Sequence, residues 1–177
     1  MTATWRFSFC FAMSQLMAFT CAAGDESVVP QRLDIYVGSA IFGAWHVVLH
    51  GRSLTCTQEQ SGREDQNSLP VTPSVEQWRA FRQALDKLRV WKWQPDYPND
   101  GTADGTQWRV HIAYADKTVA AKGSNNFPGP DGMPHSAPYQ TETFRAFIDA
   151  FKALLGKKSL FPDVGHQRSN RSTRRWS

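Results

Sequence analysis

Three histidines are the residues of this 177-residue chain whose type and spacing come closest to a metal site. His46 and His50 lie on one face of a segment that alternates between apolar and polar residues, as a β-strand does, and His111 lies in a second such segment. Strand residues four positions apart are separated by about 13 Å, so His46 and His50 are too far apart to bind one ion. A metal site made by one of them with His111 stays an alternative, but we predict no metal, and we also predict no cofactor.

A stretch rich in aspartate and glycine over 100–105, DGTADG, has oxygen-bearing side chains at alternate positions, as the start of a calcium-binding loop does. The twelfth position of such a loop is a glutamate that binds calcium through both oxygens, but here it is His111. The stretch therefore indicates a turn before a strand. Asp100 and Asp104 remain candidate ligand-binding residues, and with His111 they supply the acid and base of an alternative hydrolase site.

Two tryptophans shortly before this stretch, Trp91 and Trp93, are candidates for stacking on a sugar or a peptide. They alternate across Lys92, so both point the same way if the segment is extended. The alternative is that both residues close a hydrophobic core.

A long loop rich in proline and glycine is predicted over Gly123–Gln140, before the last helix. Loops of this length in a compact domain are usually functional or disordered. Asn125, Asn126 and Phe127 offer polar and aromatic contacts to a ligand there. A binding loop and a disordered insertion both remain open.

The short motifs of common enzyme classes are absent from the sequence. It contains no nucleophile elbow, phosphate-binding P-loop, dinucleotide-binding glycine motif, zinc-protease motif or C-x-x-C pair. We assign no catalytic residue and predict a non-enzymatic module that binds a protein or a carbohydrate. A small secreted hydrolase is the alternative from another class, and a cytosolic protein with an uncleaved N-terminus is a third.

The first half of the chain has the period of a β-hairpin followed by a helix. Apolar and polar residues alternate over Trp45–His50, and a Gly-Arg turn leads into Ser53–Gln58. A further strand is predicted before them, over Leu33–Val37. Ser74 can cap a helix. The apolar residues of that helix repeat on one face, at Trp78, Phe81, Leu85 and Leu88.

The second half has the same order, with strands predicted over Trp108–Tyr114 and Thr118–Gly123 and a helix from Thr141 to Gly156. The two helices share the pattern E-x-(W/F)-R-A-F-x-x-A, beginning at Glu76 and Glu142, through an internal duplication or by chance. We therefore predict an α+β fold with ββα-ββα order. Two helices would cover one face of an antiparallel sheet of about four or five strands.

Residues 1–23 have the pattern of a secretory signal peptide. Arg6 is their one charged residue, Phe7–Thr20 is mostly apolar, and small residues precede the acidic pair that follows. The pattern predicts a periplasmic or secreted protein. Lipid attachment at Cys21 and a cytoplasmic location are the alternatives.

The basic charge of the chain is concentrated at its C-terminal end. The formal net charge is +4, yet Lys157–Ser177 holds six Lys and Arg residues against one Asp. Residues 24–156 hold 13 Lys and Arg residues against 15 Asp and Glu, a net charge of −2. We predict one α+β domain over 24–156 and a basic disordered tail over 157–177. We expect such a tail to make at most weak contact with anionic surfaces, and we predict no specific nucleic-acid partner.

Several motifs after the first helix resemble those of a recurring group of bacterial proteins that have no assigned function. They are W-x-W from Trp91, D-G-x-x-W from Asp104 and G-S-N-x-F-P from Gly123, followed by a closing amphipathic helix. The resemblance spans Gln77 to Leu155 and implies a bacterial source and a folded unit. It implies no catalytic residue. The Gly129–Tyr139 segment departs from the group, in which the helix follows sooner.

Overall fold

Two helices on one face of a β-sheet form the fold. The computed structural model describes residues 28–39, 43–60, 63–64, 68–99, 105–136 and 140–156. The predicted signal peptide and basic tail lie outside these residues. The sheet strands are β1 (Arg32–Ser39), β2 (Gly43–His50), β3 (Ser53–Gln60), β4 (Arg63–Glu64), β5 (Leu69–Val71), β6 (Asp96–Tyr97), β7 (Thr106–Ala113) and β8 (Thr118–Ser124). A separate ribbon contains β9 (Asn126–Pro128) and β10 (Pro134–Ser136), and the helices are α1 (Val75–Lys87) and α2 (Glu142–Leu155).

The α+β class, the two helices and a mostly antiparallel sheet agree with the sequence prediction, but the strand number was wrong. Seven strands run in the order β4-β3-β2-β1-β7-β8-β6, and β5 pairs with β3 beside this path. The five long strands are those with a visible alternation. The additional strands β4, β5 and β6 have only two or three residues each, so their sequences contain no period from which a strand could be recognised.

The strand predicted over Leu33–Val37 is the centre of the sheet. β1 pairs antiparallel with β2 on one side and with β7 on the other, so β2 and β7 run in the same direction. The β2–β3 hairpin then extends to one side and the β7–β8 hairpin to the other. The two ββα units are β2-β3-α1 and β7-β8-α2. Their first strands run in the same direction, their second strands lie on opposite sides and both helices lie on the same face, so the units have opposite handedness and no rotation superposes them. The shared helix pattern is therefore not accompanied by a repeated three-dimensional unit.

Both helices begin as their capping residues predict. Ser74 Oγ accepts a hydrogen bond from the Gln77 amide at 3.2 Å, and Gln77 Oε1 accepts one from the Ser74 amide at 2.8 Å. Thr141 Oγ1 accepts from the Phe144 amide at 3.1 Å. Gln77 Nε2 also donates to the carbonyls of Ala153 and Leu154, which links the start of α1 to the end of α2.

Aromatic side chains fill the space between the helices and the sheet, and Phe144 on α2 is at their centre. Its side chain is 0% exposed. Its ring centre lies 5.0 Å from that of Trp108 on β7 and 4.9 Å from that of Phe127 on β9. Phe144 therefore joins α2, the main sheet and the small ribbon in one core.

Truncation of Phe144 tests this central position. Phe144→Ala should lower the free energy of unfolding by about 3–5 kcal/mol, because it removes buried surface and leaves a cavity. Phe144→Leu should cost less, and Arg145→Ala, next to it but exposed, should change stability by no more than about 0.5 kcal/mol. Urea denaturation measures all three. Equal losses for Phe144→Ala and Arg145→Ala would contradict the packing.

Candidate binding site on the outer face of the sheet

The two predicted stacking tryptophans lie in different environments. Val90–Lys92 forms a 3-10 helix that begins after Arg89, whose φ of 54° is left-handed, so the segment is not extended. Trp93 is 7% exposed and its ring centre lies 5.2 Å from that of Phe147 in the core. Trp93 is therefore a core residue, as the alternative interpretation of its sequence predicts. Trp91 is half-buried and its indole Nε1 donates to Asp86 Oδ1 at 2.7 Å.

The candidates Asn125, Asn126 and Phe127 make contacts within the fold: Asn125 lies between β8 and β9, and the other two are the first residues of β9. Asn125 Oδ1 accepts from the Thr106 amide at 2.7 Å, and Asn126 Nδ2 donates to the Pro98 carbonyl at 2.8 Å. Asn126 is 4% exposed and Phe127 packs on Phe144. Their role in ligand binding stays a prediction.

The two predicted binding loops are neighbours. Asn99 Nδ2 donates to the Asn125 carbonyl at 3.5 Å, and the Thr106 amide donates to Asn125 Oδ1, so described residues before and after the 100–104 segment both contact Asn125. Asp100 and Asp104 themselves lie outside the described residues. Part of the predicted loop over 123–140 is ordered as β9 and β10. A hydrogen bond from the Gly132 amide to the Gly129 carbonyl at 2.9 Å closes the turn between them.

Arg82 on α1 is at the centre of one charged cluster, which we call the Arg82 clamp. Its guanidinium donates to both carboxylate oxygens of Asp116, at 3.1 and 2.7 Å, and to Asp86 at 3.3 Å. It also lies 4.2 Å from the ring centre of Tyr114 and 5.0 Å from that of Trp91. The clamp joins α1 to the β7–β8 turn, and its role is structural because each of its ions is paired.

The clamp shifts the pKa values of its acids. Hydrogen bonds from Arg82 lower the pKa of Asp116. Burial alone would raise the pKa of Asp86, but hydrogen bonds from Lys117 and Trp91 and the charge of Arg82 outweigh it and lower that pKa. Burial also raises the pKa of Tyr114 above its ordinary range, so this phenol stays neutral.

A second charged cluster surrounds Asp34, on the face of the sheet opposite the helices, which we call the outer face. His46 Nε2 lies 3.0 Å from Asp34 Oδ1, and Arg109 Nη2 lies 3.6 Å from the same oxygen. Arg32 approaches the other oxygen at 3.9 Å. His111 is the register partner of Asp34 on β7. One carboxylate therefore lies near two arginines as well as His46, so the two guanidinium charges exceed the single negative charge of Asp34.

Next to this cluster, a cleft of about 300 Å³ opens where β6 meets β8. Its polar lining includes Tyr36, Asp96, Gln107, Arg109, Lys122 and Ser124. The Tyr36 ring meets the His46 ring edge-on, with centres 6.3 Å apart. The cleft and the Asp34 cluster thus form one continuous polar surface, and this surface is the candidate binding site.

Sequence reasoning did not find this site, although it noted the histidines. Asp34, Tyr36, Arg109 and Lys122 are the polar members of alternating strands, and such residues normally face solvent without any further role. The site becomes visible only when the polar residues of β1, β2 and β7 are placed side by side on one face of the sheet. That placement requires knowing which distant segments pair with β1. Among the described residues, no three His, Cys, Asp or Glu side chains are grouped so as to hold a metal ion.

Comparison with models of known protein families finds no match to this chain. Comparison with curated proteins likewise finds no match. In the described part of the chain, no helix is both long enough and apolar enough to cross a membrane.

Replacement of Arg82 tests the clamp. Arg82→Lys should lower the free energy of unfolding by about 1–3 kcal/mol, because lysine lacks the planar fork that binds a carboxylate and stacks on aromatic rings. Arg79→Lys, an exposed change on the same helix, should have almost no effect. Thermal and urea unfolding measure the difference, and equal stabilities of the two variants would show that the clamp contributes nothing.

The lowered pKa values predict acid sensitivity. Because folding lowers the pKa of Asp86 and Asp116 below the ordinary 3.8, their stabilisation is present above that value and is lost as the pH falls from it through the lower pKa values of the folded state. Urea midpoints between about pH 6 and about pH 3 should therefore fall less steeply in the Asp86→Asn/Asp116→Asn variant than in the wild type. Arg79→Lys should keep the wild-type slope. Identical slopes for all three proteins would contradict the assignment.

Proposed function

We propose that this chain is an exported bacterial binding module, not an enzyme, and that it docks a protein with an acidic surface on the outer face of its sheet. The single observation that carries the proposal is the excess positive charge around Asp34, beside a polar cleft, on a domain whose net charge is negative. Export is supported by the signal-like pattern of residues 1–23, and a bacterial source by the motif resemblance.

The dimensions of the outer face support a protein partner. Five long strands spaced by about 4.8 Å, each about eight residues long, present a surface of about 600 Å². A standard protein interface buries about 800 Å² on each partner, so this face would supply most of one. The cleft is shallow and small compared with this surface, which favours a broad contact over an enclosed small molecule.

The chemistry of the outer face supports an acidic partner. Tyrosine and arginine are enriched in protein interfaces, and Tyr36 and Arg109 lie side by side at the centre of the sheet. Arg32 and Lys122 add two positive charges along the same face, against the one negative charge of Asp96 beside Lys122. A positive face on a negatively charged domain both attracts and orients an acidic partner.

A hydrolase is the second candidate, and the contact between Asp34 and His46 favours it. A carboxylate 3.0 Å from an imidazole orients the ring for general acid–base chemistry. This pair differs from the Asp100, Asp104 and His111 set that the sequence suggested. If the chain is a hydrolase, the purified protein will turn over a substrate in a broad hydrolase panel, and His46→Ala will abolish that turnover.

A photocrosslinking residue on each face tests the docking proposal. Benzoylphenylalanine replaces Val48, at the centre of the outer face, or Ala146, exposed on α2, in cells that produce the protein. We expect one discrete protein adduct from position 48 and none from position 146. The captured protein, once identified and purified, should bind the wild type with an affinity that falls as salt rises.

Three outcomes would overturn this proposal. They are no adduct at position 48, equal yields from both positions, and an adduct that contains carbohydrate but no protein. Cleavage of the captured protein during the experiment would instead support the hydrolase.

A further inference from the structure

Two cations lie directly opposite each other on the outer face, where β7 pairs with β8. Arg109 and Lys122 are register partners, and their side chains are 53% and 66% exposed. Like charges in such a cross-strand pair destabilise a sheet. A residue pair that works against local stability is typical of a functional site.

Each of these cations has one carboxylate nearby, but neither pair is close. Arg109 Nη2 lies 3.6 Å from Asp34, and Lys122 Nζ lies 3.9 Å from Asp96. Asp34 is shared with His46, which lies closer to it than Arg109 does. In the Arg82 clamp, by contrast, the shortest distance between guanidinium and carboxylate is 2.7 Å. Arg109 and Lys122 therefore keep hydrogen-bond donors that an added anion can use.

The cleft provides a defined place for such an anion. Tyr36 forms one wall, and a Cβ atom on Gly38 would lie only 2.6 Å from the Tyr36 hydroxyl oxygen. Glycine at position 38 therefore makes room for the phenol. The Tyr36 ring in turn lies beside the Arg109 guanidinium, whose Cζ is 5.8 Å from the ring centre, and this contact holds the guanidinium at the edge of the cleft.

We infer that the cleft is a subsite for a single carboxylate group of the docked partner, bound between Arg109 and Lys122. Arginine donates two parallel hydrogen bonds to a planar carboxylate, and lysine adds a point charge from the other side. Gln107 Nε2 donates to Ser124 Oγ at 2.6 Å, which leaves the serine hydroxyl hydrogen for the ligand. A volume of about 300 Å³ suits one acidic side chain or a chain terminus. This inference rests on the proposed function.

Hexaglutamate and hexaglutamine peptides test the subsite on the purified protein by titration calorimetry. Both peptides carry an acetylated N-terminus and an amidated C-terminus, so they differ only in having side-chain carboxylates or side-chain amides. Hexaglutamate should bind and hexaglutamine should not. Arg109→Gln and Lys122→Gln should each weaken hexaglutamate binding about tenfold. Arg145→Gln and Lys152→Gln make the same charge change on α2 and should alter the affinity by no more than about twofold.

Two further readouts separate the subsite from general charge attraction. Hexaglutamate should cause its largest amide chemical-shift changes in the wild type at Arg109, Lys122 and Gly123. Gly38→Ala should weaken binding without changing any charge, because the new Cβ would lie 2.6 Å from both the Tyr36 hydroxyl oxygen and the Ala44 Cβ. Its urea unfolding midpoint is measured beside that of the wild type, so that a loss of fold is distinguished from a loss of binding. Equal losses of affinity in the sheet and α2 variants, or shift changes centred on α2, would overturn the subsite.

Trigalacturonate separates a failure of the subsite from a failure of the proposed function. If this acidic sugar binds through Arg109 and Lys122 and hexaglutamate does not, the carboxylate subsite stands and the protein partner is wrong. If the protein captured at position 48 binds Arg109→Gln and Lys122→Gln as tightly as the wild type, docking stands and the subsite is wrong.

Discussion

The pairing of β1 with a neighbour on each side is the constraint on which the rest of the structure depends. Side chains along β1 alternate between the two faces of the sheet. Leu33, Ile35 and Val37 face the helices, and Asp34 and Tyr36 lie on the outer face. Because the pairs with β2 and β7 are antiparallel and in register, the same alternation continues across five strands. The core and the candidate site therefore lie on opposite faces of the same alternating strands.

The local part of this pattern is predictable from sequence. The hairpins, the capping box at Ser74 and the cap at Thr141 depend on residues close together in the chain, and the structure contains them. The short strands were missed because two or three residues show no period. Trp93 is in the core because the chain turns through a 3-10 helix after Arg89, whose left-handed backbone has no sequence signal comparable to a glycine.

The candidate site depends on information that a local pattern does not contain. Arg109 and Lys122 oppose each other within one hairpin, but Asp34 and Tyr36 join them only through the pairing of β1 with β7. The same limit explains why Arg82 and Arg109 could not be distinguished beforehand. Both are arginines on amphipathic elements. Arg82 contacts two carboxylates and two aromatic faces, whereas Arg109 has one carboxylate, which it shares with Arg32 and His46.

The central position of β1 also determines when the sheet can form. Arg32, at the start of β1, pairs with Ala113, at the end of β7, so the middle of the sheet closes a loop that includes β2, β3 and the whole of α1. Such distant pairing slows folding, because the entropy of loop closure is lost before the contacts form. A chain that emerges N-terminus first, from a ribosome or from a translocation channel, leaves one edge of β1 unpaired until β7 has also emerged. The order in which these segments are made therefore delays the folded state, and the outer face is assembled only after most of the chain exists.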